Sequence, residues 1–105
     1  MSTRLKVGVV GLGRLGSSYA RYFNGRITGA ELVAVSDVNE TATNALAAEL
    51  GISKKYGKYQ DLIADDAVKA VVIVSPTSTH KEIVLAAAKR GLPIFCEKPL
   101  SIALD

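Results

Sequence analysis

Three glycines, one carboxylate and one lysine are the residues whose type and spacing can do chemistry here. The glycines lie in Gly11-Leu12-Gly13-Arg14-Leu15-Gly16, directly after the apolar run LKVGVV. A G-x-G-x-x-G match is weak alone, but between a strand and a helix it acquires a physical meaning. Gly11 permits a tight turn, Gly13 lets the backbone approach a pyrophosphate, and Gly16 lets helix and strand pack closely. Free N–H groups at the helix start, Arg14 and Leu15 among them, sit at the positive end of its dipole and attract phosphate. A purely structural glycine turn is the alternative.

Asp37 adds a second signal, 21 residues after Gly16, where an acidic side chain meets an adenosine ribose. A carboxylate accepts hydrogen bonds from both ribose hydroxyls, which favours NAD. It repels a 2′-phosphate about 4 Å away by roughly 1–4 kcal/mol, a discrimination of about fivefold to nearly a thousandfold. Ser36 and Asn39 are small and polar, which leaves NADP use open. Asp37 can instead serve as a turn or helix-capping residue.

Two further segments follow strand-like runs. Ser75-Pro76-Thr77-Ser78-Thr79-His80 comes after AVVIV. In an open α/β sheet, ligands bind beyond the carboxyl ends of the strands. Hydroxyls in this loop can reach a nicotinamide ribose or pyrophosphate, or can only cap the next helix. His80, the single histidine of the chain, can contact cofactor or make a structural hydrogen bond. Glu97-Lys98-Pro99 ends the last apolar run, at the same edge of the sheet. A lysine held there can assist proton transfer from an alcohol or hold a substrate hydroxyl. A solvated surface charge is the plainer role. No metal site is expected.

These residues need a scaffold, and the chain alternates short β-branched runs with helical patterns, as βαβ units do. Strands are expected over residues 5–10, 32–36, near 55–56, over 70–74 and over 93–97. The first helix runs to about residue 22, with Leu15, Tyr19, Tyr22 and Phe23 on one face, and Asn24-Gly25 ends it. The second spans 40–50, capped by Asn39 and stopped by Gly51. A helical turn is expected at 60–63. Thr79 and Glu82 form a capping box for a helix reaching Arg90, and Ser101 can cap another. The fold class is therefore α/β, a doubly wound parallel sheet of the Rossmann type.

A chain of 105 residues has room for one domain and one core. Its 49% apolar and 22% charged residues exclude a disordered chain. The net charge of +3 is scattered, with only Lys54, Lys55 and Lys58 close together, unlike the single basic face of a nucleic-acid protein. Cys96 alone permits no internal disulfide and reads as a buried core thiol. Neither a signal peptide nor a membrane span fits, so a cytoplasmic location is expected. The chain stops at Asp105 in mid-element, and the expectation is a dinucleotide-binding domain over 1–105, truncated before a C-terminal domain. Such a fragment is expected to bind cofactor and not to turn over substrate.

With these residues in view, the chain resembles the Gfo/Idh/MocA oxidoreductases, which include glucose–fructose oxidoreductases and inositol 2-dehydrogenases. The resemblance rests on the glycine loop, Val35-Ser36-Asp37, Ser75-Pro76-Thr77 with His80, and Cys96-Glu97-Lys98-Pro99-Leu100. The EKP segment is its specific part, and the inositol-dehydrogenase branch looks similar in SPTSTH and CEKP. The resemblance implies a C-terminal α+β domain that binds a sugar or cyclic polyol and mediates homo-oligomers. It implies an active-site role for Lys98, further catalytic residues beyond this chain, and hydride transfer from a secondary alcohol to NAD. Two other classes compete. One is a dinucleotide sensor or regulator of the same fold without catalysis. The other is a methyltransferase, against which Gly16 and the EKP segment speak.

Overall fold

The computed structural model describes residues 5–24, 29–74 and 77–96. Its elements run β1 (Leu5–Val10), α1 (Arg14–Phe23), β2 (Ala30–Ser36), α2 (Glu40–Leu50), β3 (Lys54–Tyr56), α3 (Tyr59–Ala64), β4 (Ala70–Ile73), α4 (Thr77–Lys89) and β5 (Ile94–Cys96). The described strands form one parallel sheet in the order β3-β2-β1-β4-β5. That is the order of a Rossmann sheet up to its fifth strand.

Handedness explains where the helices lie. From β1 the chain steps outward to β2 and β3, then returns past β1 to β4 and continues to β5. Right-handed crossovers travelling in opposite directions place their helices on opposite faces. Accordingly Ala20 of α1 and Leu46 and Ala47 of α2 pack with Val7, Val9, Val35 and Val72. Leu62 and Ile63 of α3 and Ile83 and Ala87 of α4 pack with Val10, Ala34, Val71 and Ile73 on the other side. Both faces of the central strands are covered, so β4 is buried throughout and reads as an unbroken apolar run. Each fully buried Val, Leu or Ile contributes about 1.5–3 kcal/mol.

Gly8 lets Leu62 of α3 pack tightly on the sheet. A Cβ there would stand 2.8 Å from Leu62 Cδ2 and 3.3 Å from Val68 Cγ1. The β1–β2 register also shifts between Val7 and Gly8.

Several expected boundaries moved. The strand expected over 32–36 begins at Ala30, because Leu5 and Lys6 already pair with Ala30 and Glu31. The helix expected to reach residue 22 ends at Phe23 with Asn24 as its cap, and Gly25, expected to supply the left-handed exit, lies outside the described residues. Tyr19 and Phe23 pack on the core, but Tyr22 is 52% exposed. Thr79, expected to cap the fourth helix, lies inside α4, which begins at Thr77; its side chain lies outside the described residues. The helix over 40–50 stands as expected, with the Asn39 side chain accepting the Ala42 N–H at 3.0 Å and Gly51 left-handed at φ +72°.

Candidate functional site

The site grows from the crossing of β1 and its two neighbours. Because β2 lies on one side of β1 and β4 on the other, the chain leaves the sheet in diverging directions at their carboxyl ends. A cleft of about 540 Å3 opens there, lined by Val10, Gly11, Gly13, Ser36, Asp37, Val38, Gly57, Tyr59, Val74 and Ile83. Its walls are mostly apolar, and polar groups come from backbone amides and from the side chains of Ser36, Asp37 and Tyr59.

The three motif glycines meet at the turn into α1, each with a different physical reason. Gly11 has φ +97°, a conformation side chains disfavour, and its N–H donates to the Ser36 carbonyl at 2.9 Å. Gly16 lies in the first turn of α1, where a Cβ would stand 1.7 Å from the Gly11 carbonyl oxygen. Gly13 has φ −67° and ψ −167°, which any residue adopts, and a Cβ there would meet nothing within 4 Å. Nothing in the described residues themselves requires a glycine at 13. The open space beside it fits a ligand that approaches the backbone closely.

The start of α1 points the same way. Gly13 is its N-cap, no side chain caps it, and no acidic residue occupies its first turn. The first amides of a helix have no intrahelical partner. At α2, by contrast, Asn39 and Glu40 serve the same positions. The N-terminus beside the cleft is thus left without the side-chain cap that its neighbour has, which suits a phosphate.

Asp37 follows β2 directly, as expected, at the cleft rim. Its Oδ2 accepts the Leu12 N–H at 2.5 Å and its Oδ1 the Asn39 N–H at 2.9 Å. The turn that carries it is fixed from below. The buried Thr43 hydroxyl is within bonding distance of the carbonyls of Asn39 (2.9 Å) and Asp37 (3.2 Å), and the Asp37 N–H donates to the Tyr56 carbonyl at 3.2 Å. The capping-type role and the rim position therefore coexist in one residue.

Beside the cleft, Tyr56 donates its hydroxyl to Asp65 Oδ2 at 2.5 Å, and Lys54 Nζ stands 3.0 Å from the same oxygen. The Ala67 N–H donates to Asp65 Oδ1 at 2.8 Å. The Tyr56 hydrogen bond foremost, then Ala67 and Lys54, hold the Asp65 carboxyl down to about 2. The same bond, with burial, pushes the Tyr56 phenol up to about 12. This network ties β3 to the turn before β4, and so steadies Gly57 and Tyr59 at the cleft wall.

Of the other expected site residues, Arg14 and Leu15 open α1, and Thr77 opens α4; their side chains lie outside the described residues. So does the Cys96 side chain. His80 is partly exposed in the first turn of α4, while Ile83 of that helix lines the cleft. Ser75, Pro76, Glu97, Lys98, Pro99 and Ser101 lie outside the described residues. Sequence reasoning missed Val38, Gly57, Tyr59, Val74 and Ile83 as cleft walls, and Thr43 and Ser17 as supports. Ser17 Oγ donates to the Leu12 carbonyl at 2.9 Å, a contact no local pattern announces. Val38, an aliphatic residue at the cleft, is 92% exposed.

Residues 5–105 match the Gfo/Idh/MocA family model, described as an oxidoreductase family with an NAD-binding Rossmann fold. The chain belongs to this family. Among its relatives, myo-inositol 2-dehydrogenase of Thermotoga maritima is 43% identical over 100 residues, 95% of this chain and 30% of that protein. The scyllo-inositol 2-dehydrogenase (NAD(+)) of Bacillus subtilis is 39% identical over 105 residues, 100% of this chain and 31% of that protein. A crystal structure of scyllo-inositol dehydrogenase from Lactobacillus casei, with bound NAD(H) and scyllo-inositol, superposes with a TM-score of 0.88. That match is 34% identical and covers 98% of this chain and 30% of the other. This Gfo/Idh/MocA chain thus spans about 30% of the length of the relatives it matches. No described helix is long and apolar enough to cross a membrane.

Proposed function

We propose that this chain is the dinucleotide-binding domain of an NAD-dependent dehydrogenase of the inositol-dehydrogenase type. The observation that carries the proposal is Gly13. Its φ and ψ suit any residue and its surroundings are empty, yet it stands at an uncapped helix start in the cleft wall. A ligand with a phosphate explains that combination. The names of the relatives, inositol 2-dehydrogenases acting with NAD in at least one case, supply the chemical class.

In this proposal the amides of Gly13, Arg14, Leu15 and Gly16 hold the pyrophosphate, and Gly11 shapes the turn that presents them. Asp37 accepts ribose hydroxyls on the lone pairs its two backbone donors leave over, and its charge disfavours NADP. Ser75, Pro76, Thr77, His80 and Glu97 line the nicotinamide side, supported by their sequence positions after β4 and β5. Lys98 is the catalytic residue of this chain: its neutral amine accepts the hydrogen bond of a substrate hydroxyl and takes the proton released when the alcohol is oxidised, becoming the ammonium. The dinucleotide, when bound, supplies the hydride acceptor for a secondary alcohol of a cyclic polyol or sugar. Residues 1–105 form one domain in this reading, and the substrate domain belongs to the length that the relatives have and this chain does not. Assembly as homo-oligomers and a cytoplasmic setting are part of the same proposal, as is the absence of nucleic acid among its partners.

Calorimetric titration with NADH, NADPH and S-adenosylmethionine tests it. Saturable NADH binding, tighter than NADPH, is expected. Tight S-adenosylmethionine binding without an NADH response would overturn it.

A further inference from the structure

The glycine turn is held in shape mainly from the end of β2. Leu12 sits between Gly11 and Gly13, with its side chain buried at 5% exposure. Its N–H donates to Asp37 Oδ2 at 2.5 Å across 25 residues of sequence. Gly11 N–H donates to the Ser36 carbonyl at 2.9 Å, and Ser17 Oγ to the Leu12 carbonyl at 2.9 Å. Two of these three tethers come from adjacent residues, Ser36 and Asp37. Only the Asp37 tether carries a charge, and charge-assisted hydrogen bonds are about twice as strong as neutral ones. A turn with two flanking glycines loses much conformational freedom on ordering, so such a tether decides how often it holds one shape.

We propose that Asp37 is a positioning residue for the glycine turn, acting through the Leu12 amide, in addition to the ribose contact given it above. The proposal rests on the dinucleotide reading of the site. Its consequence is distinct: Asp37 governs affinity for phosphate ligands that offer no ribose diol. The two oxygens are aimed at different backbone donors, since Oδ1 accepts the Asn39 N–H at 2.9 Å while Oδ2 accepts that of Leu12. Thr43, buried beneath, has its hydroxyl within bonding distance of the Asp37 carbonyl and so steadies the backbone from which the carboxylate projects. An asparagine at 37 keeps one acceptor oxygen and must serve either Leu12 or Asn39.

The test compares wild type, Asp37→Ala and Asp37→Asn by calorimetry with ADP and with 2′,3′-dideoxy-ADP, and by amide NMR without ligand. Asp37→Ala is expected to weaken both nucleotides at least about tenfold, Asp37→Asn less. In the ligand-free spectra the Leu12 amide proton moves upfield and exchanges faster in Asp37→Ala, while the Val71 and Val72 amides of β4 stay in place. Loss of ADP affinity with dideoxy-ADP unchanged overturns the positioning role, and so does an unmoved Leu12 amide. If Asp37→Ala disturbs the β4 amides, Asp37→Asn supplies the same comparison in a shape-conserving side chain. A wild-type chain that binds neither NADH nor ADP overturns the proposed function instead; the Leu12 amide, which needs no ligand, then still decides the tether.

Discussion

Alanine at Gly16 and alanine at Gly13 add the same methyl group three residues apart, and opposite outcomes are expected. At Gly16 the new Cβ would stand 1.7 Å from the Gly11 oxygen and 2.7 Å from its carbonyl carbon. Both are backbone atoms, so no rotamer change relieves the clash. Separation to even 3.0 Å needs about 1.3 Å of backbone movement at a turn pinned to Ser36 and Asp37. Overpacking typically costs about 1–3 kcal/mol, and a backbone-on-backbone clash belongs at the upper end. In a domain of this size each kcal/mol lowers the melting temperature by roughly 4–8 °C, so a drop of more than about 10 °C is expected. Displacing Gly11 also spoils the cradle, and NADH affinity falls with stability. At Gly13 the methyl meets nothing within 4 Å and the backbone suits alanine. Replacing glycine at a compatible site stabilises by about 0.4–1 kcal/mol, through the unfolded chain. Alanine is a poorer N-cap than glycine by a comparable amount, so Gly13→Ala is expected to melt close to wild type while losing NADH binding. Thermal melts by circular dichroism and calorimetry with NADH measure both quantities. A Gly13→Ala protein that binds NADH like wild type would refute the ligand explanation of that glycine. A Gly16→Ala protein that melts like wild type would refute the packing one.

Asp65 gives a pH signature with a definite sign. Its folded-state carboxyl lies at about 2 against 3.8, so its stabilisation, about 2 kcal/mol, is complete above 3.8 and fades as pH falls toward about 2. Tyr56, raised from 10.0 to about 12, stabilises below 10.0 and loses that contribution as pH climbs toward about 12. Asp65→Asn should flatten both limbs in urea titrations run across pH; unchanged limbs would show that the network does not act in solution. Leu62→Ala empties a fully buried site and should cost about 2–5 kcal/mol. Because a Gly8 Cβ would press on Leu62, Gly8→Ala should be milder in the Leu62→Ala background than in wild type, and additive free energies would contradict that contact. Asn39→Ala removes the acceptor for the Ala42 N–H and should cost about 1 kcal/mol in chemical unfolding.

The amino-acid sequence by itself determined those features whose causes are local. Asn39 and Gly51 bracket α2 because a side-chain cap and a left-handed exit act within one turn of the chain. The run at 70–74 reads as a buried strand because both its faces must be apolar. The glycine spacing after β1 and the acid after β2 placed the candidate site before any coordinates, since turn geometry is written in residue type. Tertiary structure alone decided the strand order, the early start of α4 at Thr77, and the exposure of Tyr22. It also decided that Gly16 faces the Gly11 carbonyl, that Gly8 faces Leu62, and that Asp37 grips the Leu12 amide. Tyr56, Asp65 and Lys54 converge only because β3 and the turn before β4 are brought side by side. These contacts join segments with no shared local signal, and their energies depend on distances of a few tenths of an ångström that only the packed chain defines.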